Sequence, residues 1–295
     1  MSTNVLPAQR AGTFALGGDL EINRLGYGTM QLPGPGVWGP PRDHDEAVRV
    51  LRRSVELGVN FIDTADSYGP YVAEELICEA LYPYPEDLVI ATKAGLTRFG
   101  PVTGSGPSFW PPLGRPEYLR QEAEMSLRRM KLERLDLFQL HRVDPKVALE
   151  DQVGELKRLQ DEGKVRHIGL SAVSLDQLGA AQAIAVIVSV QSQFNLTDRS
   201  AEPVLDYSTA QGMAFIPYRP LATGKLAGVG SPLTELARKR QVMPAQLALA
   251  WLLRRSPGMV PIPGTASVTH LEENLLGAAT ELTDAEFEEL SAVAA

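Results

Sequence analysis

The chain has 295 residues, of which 44% are hydrophobic and 22% charged, an ordinary composition for a globular protein with a sizeable core. Its net charge is −8 and no basic stripe is visible, so we expect no nucleic-acid partner. A single cysteine, Cys78, excludes an internal disulfide and fits a reducing compartment; with no signal segment and no apolar run of about 18 residues, we expect a cytoplasmic protein without a membrane partner.

Short apolar runs rich in β-branched residues alternate with longer amphipathic segments along most of the chain. This alternation predicts a parallel sheet, and eight strand–helix units are enough to close an α/β barrel of the (β/α)8 TIM type. The predicted strands cover residues 24–30, 60–65, 88–93, 135–141, 165–171, 186–191, 213–218 and 259–262. The predicted helices cover residues 43–57, 72–81, 116–130, 147–162, 175–184, 201–211, 243–254 and 268–277. Because no linker divides the chain, we expect residues 1–295 to form one domain.

Segments outside the eight units also have a predictable structure. Residues 13–16 and 20–22, joined by a Gly-Gly-Asp turn, predict an N-terminal β-hairpin ahead of the barrel, and Asp284 opens a C-terminal helix. Two stretches, 32–42 and 97–115, are rich in proline and glycine and longer than ordinary connections. Since both follow strands, we expect them at the end of the barrel where active sites lie.

Four polar side chains are predicted to meet at this end of the barrel. Asp63, Lys93 and His141 end the second, third and fourth strands, and Tyr68 lies five residues beyond Asp63. Free tyrosine has a pKa of about 10, and a nearby ammonium group favours its ionised form. Reduction of a carbonyl group needs such a proton donor, because the oxygen takes up a proton as hydride reaches the carbon.

These residues lie in runs 61–69, 91–93 and 140–142 which, together with 262–265, resemble the aldo-keto reductase superfamily over about residues 25–290. The resemblance implies an NAD(P)H-dependent oxidoreductase that reduces aldehydes or ketones. It also implies that Tyr68 is the general acid, that Lys93 lies beside it, and that Asp63 pairs with Lys93. His141 is then expected to bind the substrate oxygen.

The same resemblance implies a nicotinamide site formed by several strand ends. The residues expected there, together with Asp63, are Gly28, Thr29, Met30, Ser171, Gln191 and Tyr218. In the family a Ser-Asn pair binds the carboxamide, but here Ala172 follows Ser171, so only the serine carries over. Gln191 is expected to bind the same carboxamide and Tyr218 to stack on the ring.

The rest of the cofactor is expected to lie along two loops. The loop that contacts the pyrophosphate in the family corresponds to Arg219, Leu221, Thr223 and Lys225, although Arg219 could equally be an outward-facing surface residue. Thr265 and Ser267 are expected near the adenosine 2′-phosphate, and Glu273 and Asn274 at the adenine. Gly264 and His270 stand where many relatives have lysine and arginine. We therefore expect NADP with NADPH preferred, and leave NAD possible.

The expected partner is a small-molecule carbonyl compound. Trp38, Phe109 and Trp110 on the two long loops, together with Tyr68 and His141, are expected to line an aromatic, largely uncharged pocket. No cluster with metal-ligand spacing occurs, so we expect no metal. Two alternatives stay open: an NAD-dependent sugar or alcohol dehydrogenase, and a nucleotide-sensing regulatory subunit of a membrane channel. The sequence does not indicate an oligomeric state.

Overall fold

The computed structural model describes residues 5–103, 109–226, 228 and 233–293. Its strands are β1 Thr13–Leu16, β2 Leu20–Asn23, β3 Tyr27–Gly28, β4 Phe61–Asp63, β5 Val89–Ala94, β6 Leu135–Leu140, β7 Val165–Ser171, β8 Ile187–Gln193 and β9 Ala214–Tyr218. Its α-helices are α1 His44–Glu56, α2 Val72–Leu81, α3 Pro116–Met130, α4 Leu149–Asp161, α5 Leu175–Gln182, α6 Glu202–Ala210, α7 Thr234–Arg240, α8 Pro244–Arg255, α9 Val268–Leu275 and α10 Asp284–Ala292.

The strands β3 to β9 form one curled parallel sheet in which each strand pairs with the next one in the chain. A helix follows most of the strands, and the apolar side chains of the inner face form a separate cluster that includes Phe61, Leu137 and Ile216. Consecutive parallel pairing of this kind is the wall of a (β/α)8 barrel, so the predicted fold class is confirmed. All strand ends with the same polarity therefore meet at one mouth.

The predicted eighth strand is not a regular strand. Residues 259–262 close the barrel through a few backbone hydrogen bonds, from the Val260 N–H to the Phe215 carbonyl (2.9 Å) and from the Gly26 N–H to the Pro261 carbonyl (3.0 Å). Pro261 and Pro263 have no N–H group, so a continuous ladder cannot form here. The first strand, predicted over 24–30, is also shorter: β3 pairs with β4 only at Tyr27 and Gly28, and a 3-10 turn over Thr29–Gln31 follows.

The two additions to the barrel are where the sequence predicts them. The hairpin β1–β2 is antiparallel, and its Leu16 and Ile22 are buried in the same cluster as the inner face of the sheet, so it covers one end of the barrel. The helix α10 begins after Thr283, whose side chain accepts a hydrogen bond from the Glu286 N–H. Helix α10 packs on α8 through Phe287, whose ring stacks on Trp251 at 6.0 Å.

One helix was not predicted. The short helix α7 has only two buried apolar residues, Leu236 and Ala237, so it lacks the apolar periodicity by which a helix is recognised in a sequence. No helix in the described ranges is long and apolar enough to cross a membrane.

Candidate active site

The carboxyl ends of three neighbouring strands bring the predicted tetrad together. Asp63 is the last residue of β4, Lys93 lies one residue before the end of β5, and His141 directly follows β6. Tyr68 lies on the loop after β4, where its N–H donates to the Ala65 carbonyl at 3.2 Å. All four side chains are buried, and none is more than 6% exposed.

Asp63 and Lys93 form a buried ion pair. The Lys93 ammonium donates to Asp63 Oδ1 at 2.6 Å and to the Thr64 carbonyl at 2.7 Å. The second oxygen of Asp63 accepts from the side-chain amides of Gln191 (2.8 Å) and Gln139 (3.2 Å). Because both charges are matched and hydrogen-bonded, the pair can persist in a site without bulk water.

Tyr68 lies at the edge of this pair. Its hydroxyl is 3.4 Å from the Lys93 ammonium, which also lies 5.0 Å from the centre of the tyrosine ring. Burial raises the pKa of Tyr68, and this outweighs the opposite effect of Lys93. The sequence alone suggested that the ammonium effect would dominate; the buried position of the ring reverses that balance. Tyr68 therefore holds its proton at neutral pH and can only donate it.

At neutral pH Lys93 is charged, whereas His141 is neutral. Burial works against the charge on Lys93, but Asp63 and Tyr68 outweigh it and raise the pKa of the ammonium group. Burial, together with the charges of Lys93 and Arg142, holds the pKa of His141 well below its usual value. The imidazole, whose ring centre lies 5.9 Å from that of Tyr68, is thus neutral and can donate one hydrogen bond.

Two residues that sequence reasoning missed belong to this site. Gln139 contacts Asp63 because it pairs in register with Lys93 across β5 and β6. Arg142 donates to Ser171 Oγ at 2.8 Å and lies 5.5 Å from the centre of the Tyr218 ring. The only sequence signals were a glutamine near the end of a mainly apolar strand and an arginine directly after the strand-end histidine.

The residues predicted to bind the nicotinamide surround the tetrad. Thr29 is fully buried and its hydroxyl donates to the Asp63 carbonyl at 3.1 Å, and Met30 packs with Tyr68 in a small apolar cluster. Ser171 and Tyr218 are brought together by Arg142, as above. Gln191 is also present, but its amide nitrogen is bonded to Asp63. Thr29, Met30 and Gln191 thus contact the tetrad directly, whereas Ser171 and Tyr218 are linked to it through Arg142.

Close backbone packing explains two glycines of the predicted cofactor site. A Cβ atom on Gly28 would lie 2.7 Å from the Ile262 carbonyl, and one on Gly264 would lie 2.7 Å from the Gly28 carbonyl. Both distances are shorter than any normal contact, so a lysine at position 264 would require the backbone to move. The absence of that basic residue therefore follows from how the first strand and the closing segment meet.

A cleft of about 460 Å³ lies along the loop after β3 and reaches the segment before α9. Met30 and Val37 line it at one end and Ala266 at the other. The side chain of Ser267 caps α9 by accepting from the His270 N–H, and Asn274 is buried further along this helix. His270 is exposed and Glu273 half-buried. Of the residues predicted to bind the cofactor, Met30 lines this cleft, whereas Ser267, His270, Glu273 and Asn274 belong to α9 and its cap.

A carboxylate already occupies part of the α9 N-terminus. The Val268 N–H, the first of the helix, donates to Glu46 Oε1 at 3.0 Å. This amide and Arg49 lower the pKa of Glu46, so the carboxylate is ionised at neutral pH. A helix N-terminus attracts anions, and here a side chain of α1 takes one of the available amides.

The second predicted loop lies at the rim. Arg219 is exposed, and its guanidinium donates to Gln193 Oε1 at 3.1 Å. Leu221 is half-buried, whereas Thr223 and Lys225 are exposed around a 3-10 turn over Ala222–Gly224. The positions are compatible with a phosphate-facing loop, but Arg219 has the outward-facing orientation that the sequence also allowed.

Of the aromatic residues of the two long loops, Trp110 contacts the tetrad directly. The ring centre of Trp110 is 6.3 Å from that of Tyr68, edge to face, and Trp38 pairs through its backbone with Gly69. Phe109 is half-buried. Residues 104–108 of the predicted 97–115 loop lie outside the described residues.

The chain is similar to known oxidoreductases over almost its entire length. Residues 24–295 match the family model described as Aldo/keto reductase family. An uncharacterized oxidoreductase of Schizosaccharomyces pombe is 46% identical over 98% of this chain and 92% of its own length. Pyridoxine 4-dehydrogenase of Escherichia coli is 42% identical over 93% of this chain and 95% of its own length.

A solved structure has the same fold. The aldo-keto reductase from Klebsiella pneumoniae in complex with NADPH superposes with a TM-score of 0.80 at 25% identity, over 95% of this chain and 94% of the other. Family match, sequence identity and fold agree, and the strand ends that carry the tetrad are part of the matched region. The chain belongs to the aldo/keto reductase family of oxidoreductases.

Proposed function

We propose that the protein reduces the carbonyl group of small aldehydes or ketones with NADPH, and that Tyr68 protonates the carbonyl oxygen. The observation that carries the proposal is the buried Asp63–Lys93 pair with the protonated Tyr68 hydroxyl 3.4 Å from the ammonium. A buried ion pair with no chemical task is costly to maintain, whereas next to a proton donor it has an evident one.

Each tetrad residue has a distinct task in this proposal. Tyr68 gives its proton to the oxygen, and Lys93 stabilises the tyrosinate that remains. Asp63, held by the two glutamine amides, keeps Lys93 charged and in place. The neutral His141 donates its single hydrogen bond to the same oxygen and orients it. Donors fixed before the reaction are worth more than mobile ones, because they need no reorganisation as charge develops.

The residues of this chain fit a bound NADPH. When bound, the cofactor supplies the hydride that reduces the carbonyl carbon. Ser171, Gln191 and Tyr218 would hold its nicotinamide end, and Thr265, Ser267 and His270 its 2′-phosphate end, with Glu273 and Asn274 at the adenine. Support comes from the NADPH complex of the structural relative, whose fold this chain shares.

A carbonyl panel tests the proposal directly. Purified protein is incubated with aromatic and aliphatic aldehydes and ketones, with NADPH and NADH in parallel, and nicotinamide oxidation is followed by absorbance. We expect turnover of at least one aldehyde with NADPH, and almost none in a Tyr68→Phe variant that still binds the cofactor. Equal turnover in the variant would refute the role of Tyr68, and no turnover of any carbonyl would refute the reduction.

Oxidation of an alcohol is a second candidate, favoured by the 42% identity to pyridoxine 4-dehydrogenase. The same residues serve the reverse reaction, in which Tyr68 in its tyrosinate form, stabilised by the charged Lys93, accepts the proton that the alcohol loses. Initial rates with pyridoxal plus NADPH and with pyridoxine plus NADP⁺ distinguish the two directions. A higher rate with pyridoxine near neutral pH would favour the dehydrogenase.

A further inference from the structure

The guanidinium of Arg98 connects three loops at the mouth of the barrel. One nitrogen, Nη1, donates to the Val37 carbonyl at 2.7 Å and to the Ser67 carbonyl at 2.8 Å. The other, Nη2, donates to the Gly36 carbonyl at 2.9 Å and to the Gly100 carbonyl at 3.1 Å. The four carbonyls belong to the loops after β3, β4 and β5, and Ser67 directly precedes Tyr68.

The same guanidinium lies between two tryptophans. It is 3.7 Å from the centre of the Trp110 ring and 5.6 Å from that of Trp38. Burial lowers the pKa of Arg98 to about 10, and no described carboxylate offsets this effect. The group is still charged at neutral pH, so backbone dipoles and ring faces are its stabilising partners.

Other contacts make this region one unit. The Val102 N–H donates to the Gly36 carbonyl at 2.9 Å, and the Gly39 N–H donates to the Gly69 carbonyl at 2.6 Å. Trp110 in turn packs edge-on against Tyr68. A displacement of Arg98 would therefore release Trp110, the aromatic ring beside the proposed proton donor.

We propose that Arg98 is a positioning residue that fixes Trp110 over Tyr68 and thereby selects carbonyl substrates with a flat, unsaturated flank. A planar guanidinium can bind several carbonyls and stack on a ring at once, which an ammonium cannot do. A small aliphatic aldehyde makes little contact with the Trp110 ring, whereas an aromatic aldehyde packs against it. The inference rests on the proposed carbonyl reduction for its substrates, but the placement of Trp110 can be measured without turnover.

Arg98→Met tests the proposal, with Arg98→Lys as a second variant that keeps the charge. Benzaldehyde and propanal are compared as substrates with NADPH. In both variants we expect KM for benzaldehyde to rise about tenfold or more and KM for propanal to change less than about threefold, because only the aromatic substrate loses a ring contact. The dissociation constant of NADPH should stay within about twofold of the wild-type value.

Arg199→Met is the matched control. Arg199 also binds backbone carbonyls, those of Leu196 and Ser291, and lies 4.7 Å from the centre of a tryptophan ring, that of Trp251. These partners lie in the loop after β8, in α10 and in α8 rather than in the tetrad, so its loss should lower thermal stability without changing the benzaldehyde-to-propanal ratio of KM values.

Acrylamide quenching of tryptophan fluorescence measures whether Trp110 is held in place. Quenching should increase in Arg98→Met at a temperature where the protein is folded, because Trp110 is released. Unchanged quenching in Arg98→Met, an unchanged ratio of KM values, or the same change of that ratio in the Arg199→Met control would overturn the proposal. If the wild-type protein reduces no carbonyl, the proposed function fails, whereas the quenching result still decides the role of Arg98.

Discussion

Two opposing effects act on the hydroxyl of Tyr68. Desolvation disfavours the tyrosinate, and the Lys93 ammonium at 3.4 Å favours it; the first is larger, so the pKa is raised. A raised pKa suits a group whose task is to hold a proton until the carbonyl oxygen becomes basic. The ammonium then matters after the proton has left, because it stabilises the anion that is formed.

Tyr68→Phe should therefore abolish most turnover while cofactor binding changes little. The substitution keeps the ring that packs on Trp110 and His141 and removes only the proton donor. General acid catalysis contributes roughly a hundred- to ten-thousand-fold, and we expect a loss in that range in single-turnover measurements. Tyr84→Phe is the control, since its hydroxyl donates to the Met130 carbonyl between helices and lies outside the site. More than half of the wild-type rate with chemistry limiting would contradict the assignment.

The loop that carries Tyr68 also contains a buried carboxyl group, that of Asp66. Asp66 is almost fully buried, and its Oδ1 has no hydrogen-bond partner among the described residues. Burial, reinforced by Glu74 and Glu122, raises its pKa well above the usual value, with the Arg129 charge opposing only in part. The folded protein thus holds a proton on Asp66 that the unfolded chain loses above a pH of about 4.

Asp66→Asn should stabilise the protein at alkaline pH more than at acid pH. Because folding raises this pKa, the contribution of Asp66 to stability decreases as the pH rises from about 4 towards its folded-state pKa. Asparagine resembles the protonated form of the aspartate and does not titrate, so the Asp66→Asn variant lacks this decrease in stability with rising pH. Melting temperatures of both proteins at pH 5 and pH 8 measure the effect, with the exposed Asp87→Asn as control. An equal difference at both pH values would show that Asp66 is ionised in the fold.

The tetrad could be predicted from the sequence, whereas two of its neighbours could not. Asp63, Lys93 and His141 follow apolar strands at similar positions, so barrel topology alone places them together. Gln139 reaches Asp63 only through the register of β6 against β5, and Arg142 reaches Ser171 only through its rotamer. Register and rotamer depend on packing between distant segments, which a local pattern does not contain.

At the scale of elements, the N-terminus of α9 and its neighbours determine the charge at the expected position of the 2′-phosphate. The α9 N-terminus was predicted from Ser267 and the run that follows, and Ser267 is indeed its cap. The contact of Glu46 with the Val268 amide was not predictable, because it depends on how α1 packs beside α9. It adds a negative charge next to the expected position of the 2′-phosphate, where Gly264 and His270 already provide no permanent positive charge.

Glu46→Gln should increase the affinity for NADPH relative to NADH. The substitution removes a charge that repels the 2′-phosphate and leaves the Val268 amide with a weaker, neutral acceptor, while NADH has no phosphate there to benefit. We expect the ratio of the two dissociation constants to shift about three- to tenfold towards NADPH at low salt and less at high salt, because screening weakens such exposed charges. Fluorescence titrations with both cofactors measure the ratio.

Glu272→Gln is the matched control for this change. Glu272 bonds to Arg53 at 2.7 Å, so its loss also removes a contact between α1 and α9 and one negative charge. It lies in the second turn of α9 rather than at its first amide. A similar shift in both variants would mean that packing of the two helices, and not the charge at the N-terminus, controls the choice of cofactor.

At the scale of the whole molecule, stability and chemistry lie at opposite ends of the barrel. The barrel, the hairpin and the C-terminal helix could be predicted from the alternation of strand-like and helical segments and from turn residues. The irregular closure at 259–262 could not, because the effect of its prolines on strand pairing is visible only in the assembled sheet. At the hairpin end, Arg24 bonds to four carbonyls, much as Arg98 does at the mouth. Its partners are the carbonyls of Ala11, Leu253, Ser256 and Pro257.

Arg24→Met should lower stability without changing catalysis. The four carbonyls belong to the segment before the hairpin, the end of α8 and the turn that leads into the closing segment, so Arg24 joins the first and last parts of the barrel.

Hydrogen bonds to charged groups contribute about 1.5–3 kcal/mol each, and water replaces some of these, so we expect a loss of about 2–4 kcal/mol. For a chain of this length that corresponds to a decrease in Tm of roughly 3–6 °C. KM and kcat should stay within about twofold of the wild-type values, because in this fold residues at the end remote from the mouth serve stability. Paired with Arg98→Met, the variant separates two arginines of similar chemistry: a changed substrate preference in Arg24→Met, or an unchanged Tm, would contradict the division between the two ends.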